Sequence, residues 1–157
     1  MSPTQAVTTV LVLNGPNLSR LGSREPDVYG HATFDDLVAV CAEAARSHGL
    51  TADVRQTDDE ATLVHWLHAA VDERTPVVLN PAAFTHYSYA LRDACALLQG
   101  VVPLVEVHIT NPARREQFRH TSVVGGVATG TIAGFGLDSY RLAIAGVARL
   151  VGTSAAG

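Results

Sequence analysis

The chain has no lysine: all eleven of its basic residues are arginine. That removes imine formation on a side-chain amine, and with it the phosphate-binding lysine of a P-loop. Cysteine is nearly as scarce. Cys41 and Cys95 fall in helix-like segments and read as buried thiols, with a reactive role as the competing reading. Concentrated positive charge is missing too, since the net charge is -4 and the longest basic run is Arg114-Arg115. A nucleic-acid footprint or a membrane-surface patch is therefore not expected. The apolar run TTVLVL has no positive residue before it and is too short for a signal segment, and no stretch reaches the ~18 apolar residues of a membrane span. These absences predict a cytoplasmic protein with a small-molecule partner. A chain of 157 residues suits one domain over 1–157 with a real core, and its last residues, about 153–157, read as a frayed tail.

What is present alternates. Apolar, β-rich runs near Thr9–Leu13, Ala52–Gln56, Val77–Asn80, Leu104–Ile109 and Gly130–Ala133 predict five strands. Helical periods predict helices near Phe34–His48, Ala61–Glu73, Ser88–Leu98 and Leu137–Val151, with a short helical turn at Arg114–Phe118. Thr33 with Asp36 resembles a capping box, and Gly49 reads as a helix stop. Alternation of this kind, with strands apolar on both faces, predicts an α/β three-layer sandwich around a parallel sheet, flavodoxin-like with strand order 2-1-3-4-5. In such sheets ligands bind beyond the carboxyl ends of the strands where the winding reverses. Functional polar residues should therefore follow strands 1, 3 and 4.

They do. In LVEVHIT the period of two puts Glu106, His108 and Thr110 on one face of strand 4. A buried carboxylate is costly unless answered, and a carboxylate behind an imidazole fixes its tautomer and raises its basicity, which suits a general acid. A His–Glu pair kept for structure alone is the competing reading. After strand 3, NPAAFTHYS brings Asn80, Thr85, His86 and Ser88. After strand 1 comes NGPNLSRLGSREPDVYG, longer than an ordinary surface loop and, over about 18–30, without helical or strand period. A free tyrosine has a pKa of about 10 and makes a poor base at neutral pH; Arg20 and Arg24, if close, would favour its phenolate at Tyr29. Solvated arginines beside a merely packed tyrosine are the alternative. His65 and His68, spaced i, i+3, read as solvated rather than as metal ligands, for want of further partners. Asp58-Asp59 has the look of an acidic phospho-acceptor pocket but lacks the lysine such pockets use.

The stretches NGPNLSRLGSREPDVYG, RQTDDEATLVHWLH, NPAAFTHYSYALRDA, VEVHITNPARREQFRHTS and ATGTIAGFG, taken in order and spacing from about Val10 to Leu150, resemble the motifs of type II 3-dehydroquinate dehydratases. The resemblance implies an enzyme of the shikimate pathway that removes water from 3-dehydroquinate to give 3-dehydroshikimate, without cofactor or metal, in a homo-oligomer that is usually a dodecamer built as a tetramer of trimers. It implies Tyr29 as the proton acceptor, Arg24 on the lid as transition-state stabiliser, Asn17 as holder of the water on the enolate, and His108, oriented by Glu106, as proton donor. Asn80, Ile109 and Thr110 would bind the substrate carboxylate, His86 and Arg119 the ring hydroxyls, and Asp93 would reach a neighbouring subunit's site. The unrelated type I enzymes work through a lysine imine, which a chain without lysine could not form.

Three departures from the family pattern stand out. Tyr87 takes the place of a usual Thr and adds bulk beside His86, Thr110 takes that of a Ser and keeps the hydroxyl, and TSVVGG replaces a segment that usually carries an aromatic, a change expected to bear on assembly. The same reaction in quinate breakdown, or a flavodoxin-fold binding module without catalysis, are the other functions compatible with the chain.

Overall fold

In the computed structural model residues 7–23 and 25–152 are described. Five parallel strands form one sheet: β1 (Thr8–Asn14), β2 (Leu50–Gln56), β3 (Val77–Asn80), β4 (Leu104–His108) and β5 (Gly130–Ala133). Their order is β2-β1-β3-β4-β5, as the alternation predicts. The register aligns Asn14 with both Gln56 and Asn80, so three amides share the carboxyl edge of the sheet. His108, paired with Ala133, ends β4 at the same edge.

The alternation of side chains divides the core into two layers. Val10, Val12, Val78, Val105 and Val107 pack under α2 (Phe34–Ser47) and α5 (Asp138–Leu150). Leu11, Leu13, Val77, Leu79 and Leu104 pack under α3 (Glu60–Glu73) and α4 (Tyr89–Ala96). Each fully buried leucine or valine contributes roughly 1.5–3 kcal/mol, and this two-sided burial keeps the central strands and their polar carboxyl ends in fixed register. Glu106 breaks the apolar pattern on the α3/α4 side and is fully buried there.

Local signals behave as read. Thr33 and Asp36 form a reciprocal capping box on α2, with 2.9 and 3.1 Å bonds. Gly49 follows the helix at φ 73°, the left-handed conformation of a helix stop. Asp59 caps α3 and Ser88 caps α4, which gives Asp59 a structural task in place of a phospho-acceptor one. His65 and His68 meet edge to edge at 6.1 Å; among the described residues no three potential ligands gather around a metal position, and no helix is long and apolar enough to cross a membrane.

The segment after β1 departs from its expected irregularity. It holds a 3-10 turn at Leu18–Arg20 and a single α-helical turn, α1 (Pro26–Tyr29), with Pro26 at its first position. Turns this short have no period to detect, although proline at a first helical position is a known start signal. The expected helical turn near Arg114–Phe118 is two separate 3-10 turns, Pro112–Arg114 and Gln117–His120. Asn111 explains the first, because its side chain accepts from Ala113 N at 3.1 Å and starts the turn.

Candidate active site

A cleft opens at the carboxyl edge where β1, β3 and β4 end. Asn17, Tyr29, Asn80, His86, His108, Ile109, Thr110 and Arg119 all line it, as does Arg115. Eight of the expected residues therefore converge in one place. Glu106 lies directly behind His108. Asp93 does not reach the cleft: it is exposed on α4 and paired with Arg92 at 2.9 Å. Arg20 is exposed on its 3-10 turn and is not among the lining residues. Arg24 and the tail lie outside the described residues.

On the β4 side, His108 Nε2 and Glu106 Oε2 are 2.6 Å apart, and only 11% of the imidazole is exposed. Burial pushes the Glu106 carboxyl up, but hydrogen bonds from His108, Thr85 and Ser122 outweigh it and hold Glu106 below the ordinary glutamate value. An ionised Glu106 can only accept, so Nε2 carries the shared proton and Nδ1 is the nitrogen left for the cleft. The carboxylate thus fixes the tautomer.

On the other side the phenol of Tyr29 accepts a 2.8 Å hydrogen bond from Arg115 Nη1, and the guanidinium lies 5.2 Å from the ring centre. A cationic donor aimed at the phenol oxygen stabilises negative charge there. The sequence assigned this task to Arg20 and Arg24. Arg24 lies outside the described residues; among the described ones Arg115, delivered by the loop after β4, donates to Tyr29. Its only sequence signal was membership of the Arg114-Arg115 pair, because nothing local links residue 115 to residue 29.

The loop after β1 is held in place from β2. Asn17 adopts φ 71°, ψ -1°, a left-handed conformation that asparagine tolerates better than most residues. Its backbone N–H donates to Asp58 Oδ1 at 2.8 Å, and Gln56 Nε2 donates to the same oxygen at 3.1 Å and to Gly15 O at 3.2 Å. The acidic pair after β2 thus serves the cleft loop and a helix cap. Gly15 N donates to Asn80 O at 2.8 Å, and a Cβ on Gly15 would come within 2.7 Å of Pro81 O. Only glycine allows the loops after β1 and β3 to meet so closely.

Asn80 is buried and doubly anchored. Its Oδ1 accepts from Ala82 N at 3.0 Å, and its Nδ2 donates to Tyr140 Oη at 2.9 Å. Tyr140 donates in turn to Asn14 Oδ1 at 2.7 Å. Complete burial raises the Tyr140 phenol well above its ordinary value, so it stays neutral and serves as both donor and acceptor. Tyr140, an apolar-looking position in a helix period, gave no sign of this role. His86 is oriented through Nδ1, 2.8 Å from Thr121 O. Arg119 is braced by Glu116 at 3.1 Å and stacks over Phe118 at 4.7 Å. Tyr87 turns away from the cleft; it is 58% exposed and meets Phe84 edge-on.

The arrangement has the parts for a paired proton removal and donation: a phenol next to a fixed cation, and an imidazole backed by a buried carboxylate. Comparison with known proteins agrees with that chemistry. The family model described as "Dehydroquinase class II" matches residues 8–148. A 3-dehydroquinate dehydratase of Salinispora arenicola is 61% identical over 86% of this chain and 93% of its own length. One of Mycobacterium tuberculosis is 53% identical over 92% of this chain and 97% of its own length. The crystal structure of type II dehydroquinase from Propionibacterium acnes superposes with a TM-score of 0.88 at 53% identity, covering 93% of this chain and 99% of that one. The chain belongs to the class II dehydroquinase family.

Proposed function

We propose that this chain is a type II 3-dehydroquinate dehydratase of the shikimate pathway, in which Tyr29 and His108 divide the elimination between them. The observation that carries this reading is the convergence of two opposite proton-handling pairs, Tyr29 with Arg115 and His108 with Glu106, on one cleft. As phenolate, Tyr29 takes the proton from the carbon beside the substrate ketone, and the electron pair moves onto the carbonyl oxygen as an enolate. The enolate then collapses, the C–O bond on the ring breaks, and His108 delivers the proton that lets the hydroxyl leave as water. Tyr29 has gained a proton and His108 has lost one, so a net transfer between them restores the site.

The other residues bind and orient. Asn17 holds a water against the enolate oxygen, Asn80, Ile109 and Thr110 take the substrate carboxylate, and His86 and Arg119 take the ring hydroxyls. Arg24 on the lid joins Arg115 in stabilising the anionic transition state. The exposed Asp93 carboxylate suits a role in a neighbouring subunit within a homo-oligomer, a dodecamer made as a tetramer of trimers, in the cytoplasm. Ile109 and Thr110 act through backbone N–H and the Thr110 hydroxyl.

The test is direct. Incubation with 3-dehydroquinate should raise the ultraviolet absorbance of the conjugated enone product, and borohydride added with substrate should leave the enzyme active, because no lysine is present to form an imine. No absorbance rise under conditions where a known dehydratase turns over would overturn the reading.

A further inference from the structure

Within TSVVGG, the segment that the sequence sets apart from the family pattern, Ser122 and Gly125 form the wall behind Glu106. Ser122 Oγ donates to Glu106 Oε1 at 2.9 Å, and Thr85 Oγ1 donates to Glu106 Oε2 at 2.5 Å. Gly125 N donates to Ser122 Oγ at 2.8 Å, which occupies a lone pair of that oxygen and leaves its O–H to the hydroxyl–carboxylate cluster, in which Thr85 Oγ1 also lies 2.7 Å from Ser122 Oγ. A Cβ on Gly125 would sit 3.3 Å from Ser122 Oγ and 3.4 Å from Glu106 Oε1, so any larger residue would have to displace the pair by a few tenths of an ångström. The two hydroxyls come from loops that are stitched together: Val123 N donates to Thr85 O at 2.7 Å, and His86 Nδ1 meets Thr121 O at 2.8 Å. The sequence tied this segment to assembly. Its contacts tie it to the cleft.

We infer that Thr85 and Ser122 are positioning residues for the proton donor, acting on His108 through Glu106, with Gly125 aligning Ser122. The inference rests on the reading of His108 as the acid. Its physical basis is that a carboxylate sharing its charge with two hydroxyls is a weaker base than a bare one and pulls less on the proton of His108. Without them Glu106 grips the imidazolium more tightly, and His108 becomes a poorer acid. The other groups that bear on the pair are the Cys95 thiol of α4, buried and pushed up partly by Glu106, and, around the cleft that His108 faces, Tyr29, His86, Arg115 and Arg119. None of these is removed by the substitutions below.

Thr85→Val and Ser122→Ala each delete one hydroxyl, and Thr85→Ser keeps it. The His108 titration, followed by the NMR shifts of its imidazole carbons in the full-length protein, should move up by about half a pH unit or more in the first two variants and stay at the wild-type midpoint in the third. Turnover should fall in step, about two- to three-fold for each half unit, with KM within about two-fold, since ground-state contacts are untouched. Thr85 is buried, whereas Ser122 lies at an exposed position, so Ser122→Ala keeps the test open if Thr85→Val fails to fold. An unchanged His108 midpoint in Ser122→Ala would overturn the inference. If the midpoint moves but turnover does not, the positioning stands and the assignment of His108 as the acid falls.

Discussion

A phenol acts as a base at neutral pH only where something holds its anion, and the 2.8 Å contact from Arg115 to Tyr29 gives the Tyr29 oxygen such a partner. Arg115 also has carboxylates nearby, Glu25 at 3.8 Å and Glu116 at 3.9 Å, with only 13% of its own side chain exposed. Those longer contacts orient the guanidinium without taking the N–H aimed at the phenol. In the proposed mechanism Arg115→Ala should lower kcat about 100-fold or more, the scale of losing one preorganised charge-stabilising donor; Arg115→Lys should recover only part, because a point charge lacks the planar fork. Steady-state kinetics on both variants measures this, and full activity of Arg115→Ala would remove Arg115 from the mechanism. At the same scale the cysteines have the opposite character. Burial pushes Cys41 up to about 12, against a smaller pull from Arg141, and pushes Cys95 up to about 12, with Glu106 adding to the effect. The native protein should therefore show no fast reaction with a thiol reagent near pH 8, whereas both thiols should react once it is unfolded.

At the scale of elements, the cleft depends on three loops held against one another at the carboxyl edge. Gly15 permits the closest of these contacts, and Asp58 pins Asn17. Gly15→Ala should cost stability and activity together, since Pro81 O at 2.7 Å is backbone and cannot simply step aside. Asp58→Ala should spare the fold but raise KM and lower kcat, because it frees the N–H that sets Asn17; thermal unfolding beside kinetics distinguishes the two outcomes. What the sequence made legible follows the same division. Strands and long helices were readable because burial on a regular element repeats every two or 3.6 residues, and the Glu106–His108 pair was readable because both members sit on one strand. The one-turn helix at Pro26–Tyr29 and the 3-10 turns repeat nothing. Arg115, Ser122 and Tyr140 escaped for a related reason: each meets its partner across a tertiary contact, 86, 16 and 126 residues along the chain, and no local pattern encodes that.

For the whole molecule, the buried groups set a pH range of stability. The folded Glu106 carboxyl lies below its ordinary value of 4.5, so its contribution is complete above that value and is lost as pH falls from there through the folded value. The two thiols lie above their ordinary 9.0, so their contribution is complete below pH 9 and is lost as pH rises from there toward 12. Denaturant midpoints measured across pH should form a plateau through neutrality and fall on both flanks, and a midpoint unchanged down to pH 3 would contradict a charged, buried Glu106. Within that range the central claim is the division of the reaction between a base on the β1 loop and an acid at the end of β4. The most direct test is the initial rate of enone formation from 3-dehydroquinate by Tyr29→Phe, with substrate binding measured on the same sample. The account predicts a loss of at least about 1,000-fold in kcat with affinity nearly unchanged; a variant that keeps substantial turnover would show that Tyr29 is not the base.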